Sequence, residues 1–365
     1  MGQGPLSGVR VVEFAGIGPA PFAAMLLSDM GAEVVRIDRS SVDPFPNPVV
    51  NRGRTSILLD LKSDEGQRTA REAIAAADIL IEGYRPGVME RLGLGPADCE
   101  ALNPRLVYGR MTGWGQDGPL SQRAGHDIGY IALTGALDAI GPADGPPAPP
   151  LNLVGDYGGG ALYLAFGICA ALYERERSGR GQVIDAAVVD GTASLMALFH
   201  GFQKGGLIST ERGRRVLGGD APWYRTYECA DGRFIAVGPI EPQFRIALLD
   251  GLGLNPSDLG PLDNPSNWQA ASARLAEVFR TRSRDEWAAV FEATDACVAP
   301  VLTLEEAPRH PHMAERGVYE SRAEAVHPAA APRLSRTPGA AGHQGPVIGE
   351  GGRDVLQRWG VRLDQ

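Results

Sequence analysis

Residues 8–38, GVRVVEFAGIGPAPFAAMLLSDMGAEVVRID, read as strand, helix, strand. The run VRVVEF (9–14) has the unbroken apolar, β-branched character of a strand buried on both faces. An apolar helix follows over 19–30, with Gly31 as its stop, and EVVRID (33–38) is the next strand. A strand, a crossover helix and a second strand pair in parallel. The pattern continues outward. Residues 56–61 (SILLDL), 78–84 (DILIEGY) and 106–111 (LVYGRM) are further strands. Residues 63–77 form a helix with acids in its first turn, and Pro86 opens a short helix at its first position. Together they predict a doubly wound α/β fold on a Rossmann-like parallel sheet.

Gly16-Ile17-Gly18 and Asp38 stand where a dinucleotide fold keeps its fingerprint and its ribose acid. The third glycine is replaced by Pro21, and Pro19 removes an N–H from the loop that would cradle pyrophosphate. The turn therefore predicts no NAD site, and no phosphate-loop motif occurs elsewhere in the sequence.

Downstream, 126–139 is a helical stretch, 142–150 a Pro-rich loop, and a long helix is expected to begin at Asp156 and run to Arg177. Residues 182–189 return to strand, and 190–204 to helix. A hairpin turning at Asp231-Gly232 and three helices (241–252, 268–280, 284–293) read as a second α+β domain. The expected organisation is a large domain over 1–204, a linker over 205–222 and a small α+β domain over 223–327. A return segment with a C-terminal helix (328–365) packs back on the large domain.

The 365 residues are 44% apolar and 22% charged, with a formal net charge of −9. An acidic chain excludes general nucleic-acid binding, which needs a basic face. Four scattered cysteines without a CxxC pair indicate buried free thiols rather than a disulfide framework. No leader-type apolar region opens the sequence, and the mostly apolar stretch 162–173 is too short for a bilayer. The reading is a cytoplasmic protein with no membrane partner.

Two motifs carry chemistry. Gly125-His126-Asp127 precedes a helix, and Gly155-Asp156-Tyr157-Gly158-Gly159-Gly160 opens one. Each sets a titratable group at the positive end of a helix dipole. The glycines lower helix propensity, which predicts close approach of a ligand to bare backbone. Arg36, Arg39, Lys62, Arg85 and Arg91 lie at carboxyl ends of strands, where the crevice of such a sheet binds its ligand, and suggest a multiply anionic one. His310-x-His312 reads as a loop feature, and no metal is required.

With these stretches quoted, the chain resembles the family III CoA transferases and racemases (the CaiB/BaiF-like family), and within it the α-methylacyl-CoA racemases. The likeness runs from 5–39 through LLDLKSDEG (58–66), LIEGYRPGVMERLGLGP (80–96), RMTGWGQDGP (110–119), AGHDIGYIALTGAL (124–137), PPLNLVGDYGGG (149–160), GRGQVIDAAVVDG (179–191) and YECADGRFIAVGPIEPQF (227–244). Gly129 and Tyr157 depart from the Asn and Phe common at those positions.

The resemblance implies an interlocked homodimer, an acyl-CoA substrate and no separate cofactor. It implies that His126 and Asp156 exchange the proton α to the thioester, with Glu241 orienting the histidine. Arg39, Leu59, Asp60, Leu61, Lys62, Gly83, Tyr84, Arg85 and Arg91 would hold the nucleotide of CoA. Gly125, Asp127, Ile128, Gly129 and Tyr130 would line the thioester, with the Asp127 N–H foremost as oxyanion donor. A transferase of the same fold, with Asp156 as nucleophile, is the alternative. His126 speaks against it, because that chemistry needs no imidazole facing the aspartate, as does the lack of a Gly-rich lid at 239–243. A non-catalytic CoA-binding protein would need none of His126, Asp156 and Glu241.

Overall fold

The computed structural model describes residues 4–43, 45–205, 209–322 and 325–363. Part of the expected linker, 206–208, lies outside them. The chain divides into two units, one formed by Met1–Thr134, Leu151–Leu195 and Pro311–Gln365, the other by Gly135–Pro150 and Met196–His310.

The first unit carries β1 (Arg10–Phe14), α1 (Pro19–Asp29), β2 (Glu33–Asp38), β3 (Arg54–Leu58), α2 (Asp64–Ala76), β4 (Ile79–Glu82), α3 (Val88–Arg91), α4 (Pro96–Leu102), β5 (Val107–Thr112), α5 (Asp127–Leu133), a π-helix (Leu153–Ala161), α6 (Leu162–Ser178), β6 (Val183–Ala187) and α7 (Val188–Leu195). The strands form one six-stranded sheet in the order β3-β2-β1-β4-β5-β6, and every pair is parallel. Successive side chains of a strand point to opposite faces. Val12 and Phe14 pack with α2, and Val11 packs with α1 and α6. Both faces are covered, which explains the unalternating apolar runs. The strand order reverses between β1 and β4, and the ligand crevice of an open α/β sheet forms at such a switch point.

Several elements differ from the sequence reading. β3 starts two residues earlier than expected and ends at Leu58, because Arg54 is a strand residue buried by pairing with Glu13. Pro86 does not open α3, whose N-cap is Gly87 in the left-handed region at φ 83°. α5 stops at Leu133 instead of continuing to 139. The long helix does not begin at Asp156. It begins at Leu153 as a π-helix, where Tyr157 N–H donates to Asn152 O at 3.1 Å. The π-helix and α6 run on as 26 helical residues, Leu153–Ser178, long and apolar enough by length and composition to cross a membrane. Leu164, Ile168, Ala171 and Leu172 of this helix are buried in the core against the sheet. Of the thiols read as buried, Cys169 and Cys297 are exposed.

The second unit holds α8 (Ala197–Gly205), β7 (Arg225–Glu228), β8 (Phe234–Val237), α9 (Pro242–Leu252), α10 (Trp268–Phe279), α11 (Arg284–Phe291) and β9 (Val298–Pro300). Its three strands are antiparallel in the order β7-β8-β9. Tyr227, Ile235, Leu249, Phe279 and Trp287 form its core. The turn at Asp231-Gly232 falls where expected, with Gly232 at φ 74°. Residues 135–150 belong to this unit, and the basic run at 212–215 is what ties them. Arg215 donates to Ala139 O at 2.9 Å and Gly141 O at 2.7 Å while paired with Asp220, and Arg212 reaches the Pro142 and Gly145 carbonyls.

Pro311–Gln365 returns to the first unit. Glu350 O accepts the Ser56 N–H at 2.8 Å, and Ser56 bridges to Gly351 in parallel fashion, so the outer edge of β3 is covered. Val355, Leu356 and Trp359 of the C-terminal helix (Gly352–Arg358) and its end pack into the core of α2.

Candidate active site

At the switch point the loops after β1, β4 and β5 and the start of α5 enclose a cleft of about 440 Å³. It is lined by Gly18, Tyr84, Arg85, Trp114, His126, Tyr130 and Asp156 among others. The two motifs singled out from sequence therefore meet in one cavity.

His126 is the N-cap of α5 in extended conformation, and its ring makes no capping hydrogen bond. The imidazole is thus not committed to the helix and faces the cleft's solvent. Asp156 sits in the first turn of the π-helix. Its carboxyl is pushed up to about 6, chiefly by burial and then by the like charge of Asp127, against the lowering effect of an Asn152 hydrogen bond and of His126. Asp127, half-buried, accepts the Asp156 N–H at 2.6 Å and is itself raised by burial. Asp156 Oδ2 stands only 3.2 Å from where a Cβ on Gly18 would be, so the glycine at the β1–α1 turn (φ 73°) admits the carboxylate.

The glycines beside Asp156 stand against protein neighbours. A Cβ at Gly155 would meet Asp127 Oδ1 at 2.2 Å, and one at Gly159 would meet Thr192 Oγ1 at 2.3 Å. Tyr157 stacks on Phe22 with ring centroids 4.1 Å apart.

The residues expected at the thioester cluster here. Gly125, His126 and Tyr130 line the cleft, Asp127 lies behind Asp156, and Gly129 N–H is taken up by His126 O at 2.8 Å. Ile128 is exposed on α5. Among the nucleotide residues, Gly83, Tyr84 and Arg85 line the same cleft. Arg39 lies over the Tyr84 ring at 4.4 Å, and burial lifts the Tyr84 phenol to about 12. Arg39, Asp60, Lys62, Arg85 and Arg91 are exposed. Leu59 and Leu61 turn their side chains into the core, which leaves only their backbone for a ligand. Arg36 does not join the cation group, because it is buried and paired with Asp38 at 3.0 Å. Glu241 lies in the second unit as the exposed N-cap of α9, with no capping bond from its side chain.

Trp114 was not foreseen as a site residue. Its indole meets Tyr130 edge-on at 4.7 Å, and its buried Nε1 has no hydrogen-bond partner among the described residues. The RMTGWGQDGP stretch was conspicuous in sequence, but no spacing rule attaches an indole to this cleft. Asn152, which hydrogen-bonds to Asp156, was equally invisible.

Comparison with known proteins bears on this arrangement. The chain is 47% identical over 364 residues to the α-methylacyl-CoA racemase of Mus musculus, covering 99% of this chain and 94% of that protein. It is 44% identical over 362 residues to the α-methylacyl-CoA racemase of Homo sapiens, with the same coverage of 99% and 94%. Its structure is similar to the crystal structure of a CaiB/BaiF family protein from Brucella suis, with a TM-score of 0.83 at 25% identity, covering 98% of this chain and 100% of that one. The model of CoA-transferase family III matches residues 6–351, and the chain belongs to that family.

Proposed function

We propose that this protein is an α-methylacyl-CoA racemase that interconverts the (2R) and (2S) forms of 2-methylacyl-CoA thioesters by 1,1-proton transfer through an enolate. The observation that carries the reading is that His126 and Asp156 line one cleft, with the Asp156 carboxyl raised to about 6. An acid–base pair works in both directions only when both groups can gain and lose a proton near working pH. Relatives named α-methylacyl-CoA racemase that match nearly the whole chain support the same conclusion.

In this reading one member of the pair removes the α-proton from one face and the other returns a proton to the opposite face. The enantiomeric substrate uses them in reverse. The developing enolate oxygen is met by the Asp127 N–H at the start of α5. Losing such a donor costs about 3 kcal/mol in the barrier. Arg39, Lys62, Arg85 and Arg91 face the phosphates of CoA, and Glu241 orients His126. No cofactor besides the substrate's own CoA takes part.

The active form is a homodimer. Leu162, Phe166 and Tyr173 share one face of α6 and are 50%, 73% and 69% exposed, an apolar stripe suited to a second copy. The enzyme acts in the cytoplasm, in the metabolism of branched fatty acids, without nucleic acid or membrane partners.

The test is incubation in D2O with a 2-methylacyl-CoA and no acceptor acid. The racemase washes deuterium into the α position. A CoA transferase using Asp156 as nucleophile stays silent until a second carboxylic acid is added, and that result would overturn the proposal.

A further inference from the structure

The π-helix is an unusual way to present a catalytic side chain, and such turns gather at functional sites. Two residues before it, Leu151 is held at φ 57°, a conformation that a branched side chain rarely adopts. In the helix itself the Asp156 N–H does not reach back along its own chain. It donates to Asp127 Oδ1 at 2.6 Å, a residue on α5. Gly155 N–H also turns to Asp127, and a Cβ on Gly155 would stand 2.2 Å from Oδ1. Only glycine at 155 lets the carboxylate in.

We infer that the Asp127 side chain is a positioning group, which holds the π-helical turn by its backbone amides and so sets the place and the protonation of the Asp156 carboxyl. This rests on the acid–base reading of Asp156 and gives Asp127 a second task beside its N–H. The groups that act on Asp156 are few. α5 and its cap contribute Asp127 and His126, and the Tyr130 phenol in turn feels Asp156, Asp127 and Arg85. The neighbouring α1 presents Pro19 to Gly160 and Phe22 to Tyr157, and the acid of α7, Asp190, acts on Asp185 instead. Among the described residues Asp127 is thus the negative charge that opposes ionisation of Asp156 across this turn.

The experiment compares D127N, D127A and G155A with the wild type. Two quantities are read: the pH profile of kcat and KM for α-proton exchange, and the titration of the Asp156 carboxyl by 13C NMR on aspartate-labelled enzyme, assigned through D156A. D127N keeps an amide oxygen for the clamp but removes the charge, so the Asp156 resonance titrates about one unit lower and the acid limb of kcat follows it. D127A loses the clamp, and kcat falls roughly 100-fold while KM changes little, with D127N recovering about ten-fold of that loss. G155A crowds the same carboxylate and resembles D127A. An Asp156 titration that does not move in D127N, or a D127A enzyme with wild-type kcat, overturns the inference. Should the NMR shift appear while D156A still racemises at the wild-type rate, the clamp stands and the acid–base reading falls.

Discussion

The first unit buries charge under β1–β3 and beside the switch-point cleft, and these two regions follow opposite rules. Under β1–β3 each acid meets a guanidinium: Glu13 with Arg54 at 2.5 Å, Asp29 with Arg52 at 2.5 Å, Asp38 with Arg36 at 3.0 Å. These side chains are almost wholly buried, and each acid has a guanidinium within ion-pair distance. In the switch-point cleft the acids are set against each other. Asp127 faces Asp156 through a backbone amide, and no guanidinium is bonded to either carboxyl in the described residues. Matched pairs hold shape. An unmatched acid, kept partly wet, holds a proton it can give up. The contrast separates the scaffold from the chemistry within one sheet.

The comparison breaks most readily at the reacting pair. H126A and D156A should each lose about 10⁴-fold in α-deuterium exchange while CoA binding by calorimetry is retained. Exchange within ten-fold of wild type in either variant would place the chemistry elsewhere. The scaffold side predicts the reverse pattern. E13A leaves Arg54 buried without a counter-charge and should lower the unfolding free energy by roughly 3–5 kcal/mol in denaturant titrations. Any enzyme that remains folded should keep its exchange rate.

A finer test uses the sign of the Asp156 shift. The carboxyl binds its proton more tightly folded (about 6) than at its ordinary value of 3.8, so the wild type loses stability as pH rises through that window. D156N carries no such penalty. It should therefore be more stable than wild type at pH 7 by about 1–2 kcal/mol, below the full linkage value because the site is partly solvated, with the advantage vanishing below about pH 4. Equal melting curves at both pH values would show that Asp156 is not disfavoured as an anion. At the small end, the pair Arg105–Glu176 joins two exposed groups at 3.4 Å. E176A should change stability by less than about 1 kcal/mol.

Much of the scaffold was legible because its signal is local. β1, β2 and α1 fall within a residue of the apolar runs that announced them, since a strand covered on both faces has little choice of composition. β3 was misplaced for the same reason in reverse. Arg54 reads as a surface residue until Glu13, 41 positions away, pairs with it. The site was legible as two motifs but not as a geometry. The π-helix depends on a carboxylate 29 residues upstream, which no window along the chain contains. The glycines at 155 and 159 looked reserved for a ligand, and they accommodate Asp127 and Thr192. Trp114 and Asn152 lie in conspicuous stretches, but neither an indole nor an amide has a spacing rule that attaches it to the cleft. Residues 135–150 were read with the large domain because they follow α5 in sequence. Their hydrogen bonds to Arg212 and Arg215 assign them to the other unit.

The pairing of Ser56 with Gly351 has a consequence for biosynthesis. A ribosome releases β3 nearly three hundred residues before the segment that shields its outer side. Throughout that interval a nascent chain carries an unpaired strand edge together with the unfilled hollow later occupied by Val355, Leu356 and Trp359. Covering of the β3 edge is therefore late in synthesis, and damage to the segment around Gly351 strikes a strand far upstream in the chain.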